Sequence, residues 1–240
     1  MNTPIVATEA DATGLTLVVS PAGTDADALA EAVAGHLPGH GSVWVDDPPP
    51  GTDGALARLL LHPAREVLRL ERSLPVDAAG VPTRAFVPGR DEWAWIAVNN
   101  RAFAGHREQG GWTVDRLVAL EEEAWFDPEG FRVHERDGRM VGFCWTKVHP
   151  DEDPPAGEIF VIAVDPDFAG QGLGGDLTMA GLRHLGDRGL RRALLYVDAG
   201  NEPARAMYAR LGFEQATRRR LYLPDPAGTS AVGSDDGETP

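Results

Sequence analysis

The chain reads as an α/β protein, a mixed twisted sheet with helices on both faces, and three observations predict this class. Glu158-Ile-Phe-Val-Ile-Ala-Val164 is apolar on both faces, as expected of a strand covered on both sides. After Asp165-Pro166 comes Ala169-Gly-Gln-Gly-Leu-Gly-Gly175, a turn nearly bare of side chains that opens a helix. A further strand ending at Asp198 then leads into a helix bounded by Asn201 and Gly212. Strand, turn, helix, strand and helix in that order belong to a sheet built by crossovers.

From the N-terminus, residues 14–76 read as strand (Leu15 to Ser20), helix (Asp25 to Leu37), strand (Ser42 to Val45), helix (Asp53 to Leu61) and strand (Val67 to Leu74). Pro48-Pro49-Pro50-Gly51 is a loop, because three prolines in a row supply no backbone donors. Residues 77–83 form a linker, so the expected division is a small unit at 1–76, a main domain at 84–225 and a disordered acidic tail at 226–240. Ala57 to Pro75 echoes Ala209 to Pro224, each passing from Ala-Arg-Leu through an arginine-rich strand to proline, which suggests that the small unit is a worn duplicate. In the central third, Trp93 to Phe103 and Val114 to Glu122 read as helices. Phe131 to Glu135 and Val141 to Lys147 read as a hairpin turning at Asp137-Gly138. The last helix has Asn201 as N-cap, Pro203 in its first turn and Gly212 as its stop, with Ala204, Tyr208 and Leu211 on one face.

Composition excludes several classes. A formal charge of −15 argues against nucleic acid, since nothing concentrates the cations needed to displace counterions from phosphates. One cysteine, Cys144, leaves no disulfide framework and no thiol pair for a metal, and is expected to be a small buried apolar residue. No stretch of 18 apolar residues exists and the N-terminus lacks a basic region followed by an apolar run, so a cytoplasmic protein with no membrane partner, read as a monomer, is expected.

The glycine turn has two readings. Gly170, Gly172 and Gly175 fit a dinucleotide-binding turn, with Asp198 ending the next strand. Against it, Pro166 and its neighbours separate Val164 from the first glycine, and beyond Asp198 only one helix and one strand fit before the tail. The other reading is a diphosphate cradle of backbone N–H groups reinforced by the positive end of the helix. Asn201-x-x-Ala204-x-x-x-Tyr208-x-x-x-Gly212-Phe213 resembles the last signature of the GNAT superfamily of N-acetyltransferases, and Ala169 to Gly174 resembles that superfamily's pyrophosphate motif. Ala169 departs from it, standing where Gln or Arg is usual. The resemblance implies acetyl-coenzyme A as co-substrate, no metal, and contacts from Ile162, Ala163 and Val164 to the pantetheine arm. It implies contacts from Ala169, Gly170, Gln171, Gly172, Leu173, Gly174 and Gly175 to the pyrophosphate. Asn201 and Arg205 would add polar contacts, Arg205 adjoining Ala206 where family members carry arginine.

A narrower resemblance covers residues 93–223. Val98-Asn-Asn-Arg-Ala-Phe-Ala-Gly-His-Arg-Glu108-Gln-Gly-Gly-Trp112, Glu123-Ala-Trp-Phe-Asp-Pro128 and Gly142-Phe-Cys-Trp-Thr-Lys147-Val-His-Pro150 are similar to the mycothiol synthase family. Its members resemble two tandem acetyltransferase units, of which this chain has only a shortened first one. The resemblance implies acetyl transfer to the cysteinyl amine of cysteinyl-glucosaminyl-inositol, the last step of mycothiol synthesis, with Glu108, Lys147, Glu158 and Tyr196 lining the acceptor site. Lys147 is the chain's one lysine, which hints at a site needing a compact ammonium. An α-amino group, of pKa about 7.7–8, is cheaply deprotonated near neutrality. Glu158 is placed to take its proton, and Tyr208, whose reference pKa of about 10 exceeds a thiol's roughly 8.5, to hydrogen-bond the departing thiolate. Two alternatives stand: the same chemistry on another small amine or a protein N-terminus, and a non-catalytic acetyl-coenzyme A binder.

Overall fold

The computed structural model describes residues 3–11, 14–77, 80–105 and 109–225. In chain order the elements are β1 (Ile5–Asp11), β2 (Gly14–Ser20), α1 (Ala26–His36), β3 (Ser42–Asp46), α2 (Thr52–Ala57), β4 (Leu61–Ser73), β5 (Arg84–Ala85) and α3 (Glu92–Ala102). There follow α4 (Val114–Glu121), β6 (Phe131–Arg136), β7 (Arg139–His149), β8 (Ala156–Val164), α5 (Leu173–Asp187), β9 (Arg192–Asp198), α6 (Glu202–Arg210) and β10 (Glu214–Pro224). Two short 3-10 turns, Pro128–Gly130 and Pro166–Phe168, precede β6 and the glycine turn.

These elements form two units. The first draws on the described residues of Met1–Arg69, Val197–Glu202 and Gln215–Pro240, the second on those of Leu70–Tyr196 and Pro203–Glu214. In the first, β1 pairs antiparallel with β2, β2 parallel with β3, and β3 antiparallel with β10. That last pairing, running from Arg219 opposite Asp46 to Tyr222 opposite Val43, is why the last strand groups with the N-terminal ones. Leu17, Val19, Val43 and Val45 bury one side of these strands against Leu29 and Val33 of α1 and Leu56 of α2. Asp25 caps α1 through the Ala28 N–H at 2.9 Å.

The predicted helix Asp53 to Leu61 is shorter than expected. It ends at Ala57 because Leu60 takes a left-handed conformation (φ 59°) and Leu61 already opens β4, which starts six residues before the expected strand. Strands β1 and β5 were not read from the sequence.

The second unit orders its strands β9-β8-β7-β6-β5. Asp137 and Gly138 both have positive φ (51° and 73°), so the hairpin from β6 to β7 closes where expected. One face of this sheet carries an aromatic core: Trp95 of α3 and Trp112 meet Phe131, Phe143 and Trp145, with Phe131 stacked on Trp145 at 4.5 Å. The other face packs on α5, and the contact is close. A methyl group built at Gly181 would lie 2.5 Å from Cys144 Sγ, and one at Gly157 would lie 2.5 Å from Leu185. Cys144 is buried as expected, and burial pushes its thiol up to about 12. Gly80, in the predicted linker, lies against α5: a methyl group there would be 2.5 Å from the Asp176 carbonyl oxygen. The predicted tail at 226–240 lies outside the described residues.

Candidate active site

The site grows from a fault in one strand. Along β7 and β8, Gly142 pairs with Val164, Trp145 with Val161, then Thr146 with Ile159 and Lys147 with Glu158. Phe160 is therefore an extra residue on β8, a bulge that reverses the alternation of side chains. Glu158 and Phe160 precede the shift, yet Val161 and Ala163 still join the aromatic core. On its other edge, β8 pairs with β9 only at Gly157 with Ala193 and Glu158 with Leu194 among the described residues. Beyond Glu158 the parallel ladder stops, so the backbone of Ile162, Ala163 and Val164 is left without a registered partner on that side.

The glycine turn stands at the end of the same strand. Gly170 and Gly172 have φ of +76° and +81°, a conformation costly for residues with a Cβ, and the space where each Cβ would stand is open. Gly172 is the N-cap of α5, and its carbonyl accepts from the Gly175 N–H at 3.0 Å, so the turn leads directly into the positive end of a 15-residue helix, while the Ala169 N–H is taken by the Pro166 carbonyl at 3.2 Å. Ala169, Gly170, Gln171 and Gly172 are all exposed.

Charge networks hold the turn in place. Asp165, buried at the end of β8, accepts from Arg101 Nη1 at 3.0 Å and Arg139 Nη2 at 2.7 Å, and from the Asp167 N–H at 3.0 Å. Arg101 also donates to Asp167, holding that carboxyl below the usual carboxylate range. Arg136 donates to Gln171 Oε1 at 2.8 Å and lies over the Phe168 ring, so a guanidinium stands beside the turn where Ala169 brings no polar side chain.

Glu158 is buried, and its Oε2 lies 2.7 Å from His149 Nε2. Lys147, directly opposite Glu158 across the ladder, holds its ammonium 4.3 Å from the Trp125 ring centroid and 5.5 Å from that of Phe160, a cation on two aromatic faces. Tyr196 of β9 is exposed. Tyr208 of α6 is buried with its ring edge-on to Phe213 at 5.6 Å, and burial raises its phenol well above the ordinary tyrosine range. Its helix abuts the glycine turn: a Cβ built at Gly174 would lie 3.2 Å from Met207 Sδ, one residue before Tyr208. Gly212, with φ +78°, ends this helix as expected, the Phe213 N–H reaching back to the Tyr208 carbonyl at 3.0 Å.

Lys147, Glu158, Ile162, Ala163, Val164, the turn from Ala169 to Gly175, Tyr196, Arg205 and Tyr208 all belong to the second unit. Asn201 falls in the first unit, immediately before α6, with its N–H on the Asp198 carbonyl. Glu108 lies outside the described residues. Its neighbour Gln109 is anchored by Asn99 Nδ2 at 2.7 Å, and Asn100 holds both the N–H and the carbonyl of Trp112. Sequence reasoning missed His149, Arg136, the Phe160 bulge and the Trp125–Phe160 cage. A strand's period of two does put Lys147 and His149 on one face, and that signal was available. Among the described residues no group of three or more His, Cys, Asp or Glu is placed to hold a metal, and no helix is long and apolar enough to cross a membrane.

Residues 95–213 match the model of the acetyltransferase (GNAT) family. The mycothiol acetyltransferase of Cellulomonas flavigena is 44% identical over 239 residues, covering 91% of this chain and 69% of that protein. That of Thermomonospora curvata is 54% identical over 147 residues, covering 61% and 48%, and that of Frankia alni is 48% identical, covering 82% and 64%. The chain thus spans about half to two thirds of the length of these last two relatives. Among solved structures, a GCN5-related N-acetyltransferase from Sphaerobacter thermophilus superposes with a TM-score of 0.63 at 20% identity, over 92% of this chain and 76% of that one. A tandem GNAT protein from the clavulanic acid biosynthesis pathway gives 0.56 at 16% identity, over 92% and 78%. With residues 95–213 matched by the family model and a relative 44% identical over 239 residues, the chain belongs to the GNAT family of acetyltransferases, among the mycothiol acetyltransferases.

Proposed function

We propose that this chain transfers the acetyl group of acetyl-coenzyme A to the cysteinyl amine of cysteinyl-glucosaminyl-inositol, a reading supported by relatives that are named mycothiol acetyltransferases. The single observation that carries the reading is that the β8–β9 ladder stops at Glu158, so the last six residues of β8, which lead toward the glycine turn, have no registered partner on that side. A chain-like ligand with a diphosphate head fits that arrangement. Its amide arm lies along the freed edge of Ile162, Ala163 and Val164, and its phosphates meet the N–H groups of the turn. The open space at Gly170 and Gly172 supports this fit, since side chains there would fill the cradle. Bound coenzyme supplies the activated acyl group as a thioester.

The protein's residues do the rest. Glu158 takes the proton of the attacking amine, and Tyr208, kept protonated by its burial, donates a hydrogen bond to the departing sulfur. Lys147, held on Trp125 and Phe160 opposite Glu158, binds acceptor oxygens with Glu108 and Tyr196. Residues 84–225 carry this chemistry as the catalytic domain, residues 1–76 form a non-catalytic GNAT-like unit, and the protein works as a cytoplasmic monomer with neither nucleic acid nor membrane as partner. Steady-state transfer by the purified chain to the cysteinyl pseudodisaccharide, to other small amines and to peptides with free N-termini tests the substrate. The pseudodisaccharide is expected to give the highest kcat/KM, and a higher value for either other class would reassign the acceptor.

A further inference from the structure

Glu158 is sheltered, with only 9% of its side chain exposed, so a proton it accepts in each turnover needs a way out. The groups around it narrow the choice. Lys147, across the ladder, is an ammonium resting on two ring faces and accepts nothing. Arg192 of β9 is committed to Glu152 and Glu71, and His184 of α5 and Arg188 just beyond that helix are committed to Asp127. The β9 residue in register with Glu158 is Leu194, which carries no charge. His149 is what meets the carboxylate: its Nε2 stands 2.7 Å from Oε2, and its side chain, 29% exposed at the end of β7, reaches water beside the exposed Pro150.

We propose that His149 is a positioning residue and proton exit for Glu158, an inference that rests on the reading of Glu158 as base. As the amine nitrogen bonds to the acyl carbon and the carbon–sulfur bond breaks, the nitrogen's proton passes to Glu158. The Glu158 O–H then gives its proton to His149 Nε2, and the imidazolium releases the proton on Nδ1 to solvent, returning Glu158 to its carboxylate. This needs the neutral tautomer with hydrogen on Nδ1 before transfer, and histidine is the side chain that exchanges protons readily near neutral pH. Between turnovers the imidazole, left with its hydrogen on Nε2, donates it to the carboxylate and fixes its direction, and proton exchange between the part-exposed ring and solvent restores the Nδ1 tautomer for the next transfer.

Five proteins test this in one acetyl-transfer assay: wild type, E158Q, H149A, H149Q and the E158Q/H149A double variant. His149→Ala should lower kcat about 10- to 100-fold while the KM for acetyl-coenzyme A stays within about twofold. Added imidazole should restore its rate in proportion to concentration. His149→Gln, which keeps a hydrogen-bonding group but cannot pass a proton, should be equally slow, and the E158Q/H149A double variant should be no slower than E158Q and insensitive to imidazole. Wild-type turnover in H149A overturns the inference, as does a slow H149A that imidazole leaves slow while H149Q turns over normally. E158Q running at the wild-type rate instead removes the base itself, a failure distinct from that of the exit.

Discussion

At the scale of residues, two carboxylates in the second unit have opposite fates. Glu158 lies against His149, and its removal as a base defines the first prediction: Glu158→Gln lowers kcat by about 10²–10⁴-fold with little change in acetyl-coenzyme A affinity, read by steady-state kinetics and calorimetry. Glu121 has a buried Oε1 with no hydrogen-bond partner, and burial, followed by the nearby Glu92, lifts its carboxyl to about 7. A folded-state value above the unfolded 4.5 contributes stability that is intact below 4.5 and lost as pH rises through about 7. Glu121→Gln should melt with wild type at pH 4.5 and above it at pH 8, by about 1 kcal/mol once solvent screening is allowed for. Melting curves at the two pH values check it; a gap of equal size at both would contradict the assignment. Tyr208→Phe should lower turnover about 10-fold and leave coenzyme binding within twofold, because the lost hydrogen bond is one that strengthens only as the sulfur departs with negative charge.

Packing decides matters at the scale of elements. Helix α5 sits so close to the sheet that Gly181 faces Cys144 Sγ, Ile159 Cδ1 and Thr146 Cγ2 with no room for a methyl group. Gly181→Ala should therefore destabilise the fold by about 1–3 kcal/mol, measured by urea unfolding, and expose Cys144 to thiol reagents that the native protein excludes. Much of the element order was legible. The doubly apolar run of β8, the glycines before α5 and the Asn201 and Gly212 bounds of α6 are local signals, and those elements stand where they were read. Other features were not local. The extra residue at Phe160 exists only as a mismatch between β7 and β8, and no property of Phe160 itself marks it. Strand β5 is two residues long and owes its existence to Arg132 and Val133 of β6. The helix read through Leu61 failed because Ala-Arg-Leu-Leu-Leu suits helix or strand equally, and only the left-handed turn at Leu60 separates them.

Viewed as a whole molecule, the chain builds two units that interleave in sequence, and the described candidate site residues other than Asn201 fall in the second. The candidate site was half legible in this sense: Glu158, Tyr208 and the glycine turn came from motifs, whereas His149 takes its place through the register of the neighbouring strands β7 and β8, and Arg136 through a contact 35 residues away in sequence. Ala169 marks the place where the motif thins, and Arg136 stands next to it through Gln171. Arg136→Ala should weaken coenzyme A binding about 3- to 10-fold by calorimetry while leaving kcat at saturation unchanged, since a charge-assisted contact at an exposed position is lost and no reacting group moves.

The most direct test is mass spectrometry of purified protein incubated with acetyl-coenzyme A and cysteinyl-glucosaminyl-inositol. The account predicts free coenzyme A and a pseudodisaccharide heavier by one acetyl group, carried on the cysteinyl nitrogen. Unmodified pseudodisaccharide beside consumed thioester, or no reaction while the coenzyme is bound, would contradict it.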